Sequence, residues 1–476
     1  MSSAADGGRR LGRRWVTWAW VACVFVGGFA GAWGALQAGG GRGAVSAVAP
    51  SAPRAPERAS RASRASRASR ASRASHLSRV PAPAHEALDA RALEADQIPG
   101  DERLAALGAR AARLAWGEEQ ALRVGPVPDY APVRAVYSHA QLARLAPEAA
   151  DALGVLLPHL HRVEDYDPGE QEPGEAFLED TTLVWMRDYH PAYVRAPTGD
   201  LEAVHFLSHN PNRARFTPRR LAADAARGAP LVHENGNLLV AGRWVFVGAR
   251  LLDDNRDEAP APHLRAAGYA PRGRAEALAL FARALHVEEE RVVVLPSMPH
   301  EATGHVDLYL MALNDEQVVV PKIALPLEAL LADAAELRVA RDVRDFLDAR
   351  AQQLSALGLN VIRLPQLPPL RLQALDAPDG RRDVVLYSPT NGLLVSAGGE
   401  RLALLPRFDP AGLRPELAGL SGAYESYWRE ALRALGWRPH MVNATHLGRY
   451  LGLLRCVTAT APDLPTREAR RARRGP

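Results

Sequence analysis

The alternation of apolar and polar positions separates a part of the chain that can fold around a core from parts that cannot. From about residue 125 onward, short apolar runs alternate with longer stretches of helical period. The longer stretches predict helices at 274–285, 327–357 with a break, and 422–435. The short runs predict strands at 182–186, 203–207, 238–247, 291–295, 306–313, 317–320, 360–364, 383–387, 393–397 and 439–443. Periodicity alone therefore predicts an α/β or α+β domain.

The N-terminal part contains one long uncharged apolar run, residues 15–36, which comes after Arg9, Arg10, Arg13 and Arg14. As a helix, this run is long enough to cross about 30 Å of hydrocarbon. Positive residues before such a run hold the N-terminus in the cytoplasm and direct the later part of the chain across the membrane. We expect residues 1–36 to be a signal anchor or a cleaved signal peptide. The rest of the protein would then be periplasmic or secreted, and membrane-anchored if the segment is retained.

The next segment, residues 37–81, is rich in Gly, Ala, Pro and Ser and carries six consecutive Arg-Ala-Ser triplets from Arg58 to Ser75. Such a composition cannot bury a core, so we expect a disordered tether that is either simply solvated or bound to an anionic surface. A helical lead-in is predicted at 82–124, with a break at Pro99 and Gly100. Residues 463–476 are predicted to be a basic disordered tail.

Charge is distributed unevenly between these segments. The first 79 residues contain thirteen arginines and two acidic residues, whereas the remainder contains 45 basic and 52 acidic residues. The alkaline isoelectric point is thus a property of the N-terminal arm, and it gives no support to a nucleic-acid-binding domain. An acidic folded domain suits a cationic substrate.

Cysteine and histidine usage argues against a metal centre. Cys23 lies in the leader and Cys456 is alone beyond it, so neither an intramolecular disulfide nor a four-cysteine zinc site can form in the mature domain. His159 and His161 have a spacing found in metal sites, but no third ligand motif is near, and we interpret them as surface histidines. No metal and no cofactor are expected.

Candidate chemistry centres on Gly304, His305, Val306 and Asp307. In a half-buried strand, residues two apart share a face, so a strand here would point His305 and Asp307 in the same direction. A carboxylate could then hold a cationic group while the imidazole moves protons on it. Cys456 is a candidate nucleophile.

Three further motifs occur in a fixed order around this pair. Trp185, Met186, Arg187 and Asp188 place an acid at the end of an apolar strand, the run 233–237 reads His-Glu-Asn-Gly-Asn, and Cys456 precedes Val-Thr. With these motifs the sequence resembles the guanidino-group-modifying enzymes of the pentein fold, in particular agmatine deiminase and the bacterial peptidylarginine deiminases. The run 129–140 is similar to the opening strand of those enzymes, so the resemblance begins near residue 125. It extends to about residue 462.

The resemblance implies an α/β pentein fold, in which five strand-strand-helix-strand units surround a pseudo-fivefold axis with the active site at its centre. It also implies roles for six residues. Asp188 and Asp307 would grip a guanidinium in bidentate fashion, and Cys456 would attack its central carbon as a thiolate. His305 would move protons, and Glu234 would orient His305 or the incoming water. Asn391 either lines the site or is a turn residue before Gly392.

The sequence departs from the family pattern at several glycines. Glu-Gly-Gly-Asn has become Glu-Asn-Gly-Asn through Asn235, and Arg-Asp-x-Gly-Pro has become Arg-Asp-Tyr-His-Pro through His190. The glycine-rich loop before the cysteine retains only Gly452. Loss of these glycines changes how closely backbone can approach a substrate, which bears on specificity more than on reaction type.

The resemblance therefore predicts a hydrolase that deiminates a guanidino group through a cysteine thiouronium intermediate, with peptidyl-arginine as the favoured substrate. Agmatine deiminase, amidinotransferase and a catalytically idle binding module remain alternatives. The expected partners are a small guanidino cation or an arginine-containing peptide, and the membrane through the N-terminal segment. No nucleic acid is expected. The sequence predicts no oligomeric state.

Overall fold

The computed structural model describes residues 101–113, 116–157, 160–163, 184–211, 223–373, 382–409 and 415–465. The predicted signal segment, the tether, His159 and residues 466–476 lie outside these ranges, so the predictions made for them stay predictions. Within the described ranges, none of the helices has the length and apolar character needed to cross a bilayer.

The strands are short, and most are buried. They are β1 Gly125–Pro126, β2 Val133–His139, β3 Leu160–Val163, β4 Ala192–Arg195, β5 Leu201–Leu207, β6 Ala225–Val232, β7 Leu238–Ala241, β8 Trp244–Gly248, β9 Val292–Leu295, β10 Met311–Ala312, β11 Gln317–Val319, β12 Asn360–Ile362, β13 Leu370–Gln373, β14 Arg382–Val385, β15 Leu393–Ala397, β16 Glu400–Arg407, β17 Arg438–Asn443 and β18 Thr458–Pro462.

Helices precede and connect these strands. The α-helices are Asp101–Arg113, Glu118–Leu122, Leu142–Leu145, Pro147–Leu156, Met186–Tyr189, Arg250–Asp254, Pro262–Ala266, Arg274–Ala284, Leu327–Leu330, Ala334–Ala356, Pro415–Ala434 and Thr445–Gly448. Single turns of 3-10 helix lie at Asn235–Asn237, Glu289–Arg291 and Val306–Leu308.

Fifteen of these strands form five units with one topology. The units are β18-β2-β3, β4-β5-β6, β7-β8-β9, β10-β11-β12 and β15-β16-β17, named here the first to the fifth unit. In each unit the first two strands are antiparallel and the third is parallel to the second. β1 extends the second unit beside β4, and β13 pairs with β14 as a separate hairpin.

A parallel pair of strands needs a crossover connection, and a helix is the usual one. Helices lie between the second and third strands of the first, third, fourth and fifth units, whereas the crossover of the second unit passes through residues 212–222, outside the described ranges. The first unit joins the two ends of the domain, because Thr458 of β18 pairs with Ser138 of β2. The five repeats confirm the α/β class, and the four with a described crossover helix confirm the strand-strand-helix-strand arrangement expected of a pentein.

The packing of the helices depends on their sequence. Helix Ala334–Ala356 begins after Asp333, whose carboxylate accepts hydrogen bonds from the backbone N–H groups of Ala335 and Glu336 at 2.8 and 3.0 Å. Its buried residues recur every three or four positions, which places one apolar stripe against the core. That stripe contains Val339, Ala340, Val343, Leu347, Ala351 and Leu354.

Two of the strand predictions that carried site residues are wrong. Of the predicted strand 306–313 only Met311–Ala312 is strand, and Val306–Leu308 is a turn of 3-10 helix. In the run 182–186, Met186 begins a one-turn helix that extends to Tyr189, so Asp188 lies on that helix and not at a strand end. The run 306–313 is buried throughout, and complete burial removes the polar positions by which period 2 could be told from a helical turn.

Other boundaries also differ from the sequence prediction. The run 238–247 is a hairpin of two strands, because Gly242, at φ +56°, turns the chain between Ala241 and Trp244. Helix Pro415–Ala434 begins before the predicted residue 422. The strands that the apolar pattern did not indicate include β4, β6, β16 and β18, in which alanine, proline and polar residues interrupt the apolar run.

Candidate active site

The predicted site residues share one position in the repeat. Each lies just before the first strand of a unit: Asp188 before β4, Glu234 before β7, Asp307 before β10, Asn391 before β15 and Cys456 before β18. Asp188 and Asp307 lie in one-turn helices, Glu234 directly precedes one, and Asn391 and Cys456 lie in a bend and a turn. Because the five units repeat one topology, these positions are equivalent, and contacts between the side chains show that they meet.

Cys456 lies in a buried turn, with 6% of its surface exposed. Its thiol donates to Oδ1 of Asn391 at a distance of 3.3 Å, and its carbonyl oxygen accepts from the backbone N–H of Arg187 at 3.1 Å. Burial raises the pKa of the thiol well above its ordinary value, and the negative charges of Asp307 and Asp188 raise it further. The resting side chain is therefore the thiol, and a cation between these carboxylates would favour the thiolate.

His305 lies between two carboxylates. Its Nε2 donates to Oε2 of Glu234 at 3.0 Å, and its Nδ1 lies 3.9 Å from Oδ1 of Asp188. Burial lowers the pKa of the imidazole, but the hydrogen bond to Glu234 and the charges of Asp188, Glu234 and Asp307 outweigh burial and raise the pKa to about 9. At neutral pH the ring is an imidazolium that can supply a proton.

A tight loop delivers His305 to this position. Gly304 has φ +69°, and a Cβ there would lie 2.9 Å from Oγ of Ser297. The carboxylate of Glu301 accepts from the backbone N–H groups of Thr303 and Gly304 at 2.7 and 2.6 Å. Arg250 donates to the carbonyl oxygen of Thr303 at 2.7 Å. The loop is thus fixed on both of its sides before the chain reaches the histidine.

Gly236 is the glycine that the site requires. A Cβ at this position would lie 2.5 Å from Nδ1 of His305 and 3.2 Å from Oδ1 of Asp188. Contacts of that length force one of the groups to move. The second glycine of the Glu-Gly-Gly-Asn pattern is therefore retained because backbone, imidazole and carboxylate meet here.

The two departures at Asn235 and His190 contact each other. The side-chain amide of Asn235 donates to the backbone carbonyl oxygen of His190, and both residues are buried. Asn237 binds Gly248 of β8, accepting from its N–H at 2.8 Å and donating to its carbonyl oxygen at 3.3 Å. Asn235 thus ties the turn before β7 to the turn before β4, through its side chain and the backbone of residue 190.

Sequence reasoning missed Arg455 and Asp129. Arg455 precedes the cysteine and is buried, and its Nη1 lies 2.7 Å from Oδ2 of Asp307. Its Nη2 lies 2.8 Å from Oδ2 of Asp129, whose Oδ1 lies 3.3 Å from Nη1 of Arg187. Arg455 carries a sequence signal, because it is one charge inside the apolar run 453–457, and a lone charge in such a run is buried only with a partner.

The remaining predicted residues have simpler positions. Asn391 is fully buried beside Cys456, so its side chain lines the centre as well as forming the turn before Gly392. His161 is exposed and stacks on Tyr137, with ring centroids 5.5 Å apart. Among the described residues, no group of three or more His, Cys, Asp or Glu side chains is arranged to hold a metal ion.

No protein-family model matches the sequence, and no curated protein is similar to it. Solved structures with a similar fold include an agmatine deiminase of Enterococcus faecalis, at 15% identity and TM-score 0.47, over 72% of this chain and 96% of that one. A Campylobacter jejuni agmatine deiminase matches at 11% identity and TM-score 0.46, over 71% and 96%. DDAH from Pseudomonas aeruginosa matches at 12% identity and TM-score 0.36, over 69% of this chain and 99% of that one. All these TM-scores are below 0.5, so the interpretation of the site rests on its own geometry.

Proposed function

We propose that this chain is a hydrolase that deiminates a guanidino group, with peptidyl-arginine as its substrate and a ureido group and ammonia as its products. The observation that carries the proposal is the convergence of Cys456, the His305–Glu234 pair, Asp188, Asp307 and Asn391 at the heads of five equivalent strands. A thiol, an imidazolium and several carboxylates gathered at one centre fit a planar cation better than a neutral substrate.

The first half of the reaction forms a bond from sulfur to the central carbon of the guanidinium. That carbon is a poor electrophile, because its charge is delocalised over three nitrogens. Asp188 and Asp307 would hold the N–H groups and concentrate positive charge at the carbon. The bound cation lowers the pKa of Cys456, so that the thiol releases its proton to solvent and the thiolate attacks. His305 would protonate the leaving nitrogen, and the tetrahedral adduct would lose ammonia to give a thiouronium.

The second half of the reaction replaces sulfur by oxygen. His305, now neutral, would accept a proton from water while the water oxygen bonds to the thiouronium carbon. The C–S bond then breaks, the sulfur leaves as thiolate, and a C=O bond forms. The balance is one guanidinium and one water consumed for one ureido group and one ammonium. Glu234, 3.0 Å from Nε2, would keep the ring oriented through both halves.

Peptidyl-arginine is favoured over agmatine by location and charge. The arginines before residue 15 predict that the domain lies outside the cytoplasm, where arginine is mostly peptide-bound. The acidic balance beyond residue 79 would attract arginine-rich segments. The Arg-Ala-Ser triplets and the arginines of 467–474 would then be substrates within the same chain or a neighbouring copy. Their conversion would weaken any hold of the tether on anionic lipid by about 1 kcal/mol per site.

The test is ammonia release from an arginyl peptide, free arginine and agmatine, with the Cys456→Ala protein as the control. A hydrolase releases ammonia unaided, an amidinotransferase needs an acceptor amine and releases none, and a binding module does neither. Peptide mapping of wild type against Cys456→Ala should show tether arginines heavier by about 1 Da, as expected when an imino N–H becomes oxygen. An unmodified tether, together with agmatine turned over about a hundredfold faster than any arginyl peptide, would make this an agmatine deiminase.

A further inference from the structure

Arg455 is bound on every side of its guanidinium. Nη1 lies 2.7 Å from Oδ2 of Asp307 and donates to the carbonyl oxygen of Asn235 at 3.4 Å. Nη2 donates to the carbonyl oxygen of Leu238 at 3.0 Å and lies 2.8 Å from Oδ2 of Asp129. The side chain therefore links the turns before β18, β7 and β10, which carry the nucleophile, Glu234 and Asp307 respectively.

These contacts leave the two carboxylate oxygens of Asp307 in different environments. Asp307 is completely buried, and one of its oxygens, Oδ2, is held by Arg455. Its other oxygen, Oδ1, is buried and has no hydrogen-bond partner among the described residues. A buried carboxylate oxygen without a donor costs free energy unless a ligand supplies one. Asp307 can therefore offer a substrate its unoccupied Oδ1, whereas Oδ2 is already engaged by Arg455.

We propose that Arg455 is a positioning residue that holds Asp307 by Oδ2 and offsets its charge, so that Oδ1 alone receives a substrate N–H. The substrate role of Oδ1 rests on the proposed function. The effect of Arg455 on Asp307 is independent of the proposed function. Asp188 is then the principal anchor for the cation, and Asp307 fixes its orientation.

The charge of Arg455 also bears on the nucleophile. Asp307 and Asp188 disfavour ionisation of the thiol. The charge of Arg187 interacts with Cys456 in the opposite sense, and Arg455 is paired with Asp307 and offsets its charge. Removing the charge of Arg455 leaves Asp307 uncompensated and should make the thiolate of Cys456 harder to form. The other groups at this centre are His305 and Glu234, the carboxylate of Asp129 beside Arg455, and the neutral Asn391.

The experiment measures the pH dependence of alkylation of Cys456 by iodoacetamide in the full-length protein, without substrate, by peptide mass spectrometry. For Arg455→Gln we expect the midpoint to rise by about one pH unit or more. Arg363→Gln is the matched control, since Nη2 of Arg363 lies 2.7 Å from Oδ1 of Asp348, outside this centre. It should leave the midpoint unchanged. A purely structural role predicts the opposite sign for Arg455→Gln, because loosening exposes the thiol and lowers its pKa towards the ordinary value.

An unchanged or lowered midpoint in Arg455→Gln overturns the inference. Should that variant not fold, Arg455→Lys carries the test, because a lysine keeps the charge but cannot bridge Asp307 and Asp129 as a planar fork. We expect its midpoint to match wild type while KM for the guanidino substrate rises about tenfold or more. A wild-type KM overturns the inference. If wild type deiminates no guanidino compound while the Arg455→Gln midpoint rises, the proposed function fails and the effect of Arg455 on Asp307 stands.

Discussion

Nε2 of His305 lies 3.0 Å from Oε2 of Glu234, although the two residues belong to different units of the fold and are far apart in sequence. The carboxylate does more than orient the ring. Together with Asp188 it keeps a buried imidazole charged, which burial alone would prevent. The charge on His305 is therefore a property of the assembled centre and should report on its integrity.

Stability should depend on pH through His305. Its pKa is about 9 in the folded protein and about 6.5 when unperturbed, so the folded state binds the proton more tightly. The stabilisation is complete below about pH 6.5 and is lost as pH rises through 9, an effect of about 3 kcal/mol. Urea unfolding of wild type and His305→Gln at pH 6 to 10 should show their free energies of unfolding converging over this window. The exposed His161→Gln is the control and should behave as wild type. Parallel curves for wild type and His305→Gln would contradict the assignment.

Gly236→Ala should disable the centre. The new Cβ would lie 2.5 Å from Nδ1 of His305 and 3.2 Å from Oδ1 of Asp188, so the imidazole or the carboxylate must move. Displacement of a reacting group by about 1 Å costs about a hundredfold in rate. Gly228→Ala is the matched control, because nothing lies within 4 Å of its Cβ. Steady-state kinetics should show kcat reduced in the first variant only. Equal kcat values for both variants would show that the close approach at Gly236 is tolerated.

Cys456→Ala and Cys456→Ser should abolish ammonia release, because the proposed chemistry is covalent and Cys456 is the sole cysteine after residue 23. In a His305 variant, hydrolysis of the intermediate should be slowed and an adduct should accumulate on Cys456. Intact-mass and peptide mass spectrometry would detect the adduct as substrate joined to the cysteine peptide with loss of ammonia. Turnover by the alanine variant, or an adduct on another residue, would exclude this mechanism.

Asn235→Ala should destabilise the fold while leaving the nucleophile in place. The variant loses the hydrogen bond from Asn235 to the carbonyl oxygen of His190 and leaves that buried acceptor without its donor. The expected loss is about 1 to 3 kcal/mol in the free energy of unfolding, measured by urea titration. Because Asn235 links the turns before β4 and β7, kcat should fall as well, through Asp188 and Glu234. A variant as stable as wild type would show that the link contributes nothing.

The sequence allowed the site residues to be identified by motif but not by geometry. The strand prediction puts His305 and Asp307 on one face, yet they flank the start of a 3-10 turn. They still reach the centre because the turn lies at the head of β10, and that position depends on the fivefold repeat, which local periodicity cannot show. The roles of these residues remain predictions until they are measured.

Other features could not be derived from sequence for identifiable reasons. The pairing of Thr458 with Ser138 joins distant parts of the chain, and nothing local indicates it. Arg455 was overlooked because its meaning depends on Asp129 and Asp307, which come from elsewhere in the fold. The helices were easier to predict from sequence. Arg274–Ala284 and Ala334–Ala356 have apolar stripes that the sequence of one segment reveals by itself.

The order in which the chain is made sets when the centre can first exist. Asp188, Glu234, Asp307 and Asn391 are synthesised before Cys456, and the strand after the cysteine must pair with β2, which is made near the start of the domain. At about 5–20 residues per second, β2 waits on the order of tens of seconds for its partner. A nascent chain therefore carries the acids and the histidine without the thiol, and the complete centre can exist only after the last strand has been made.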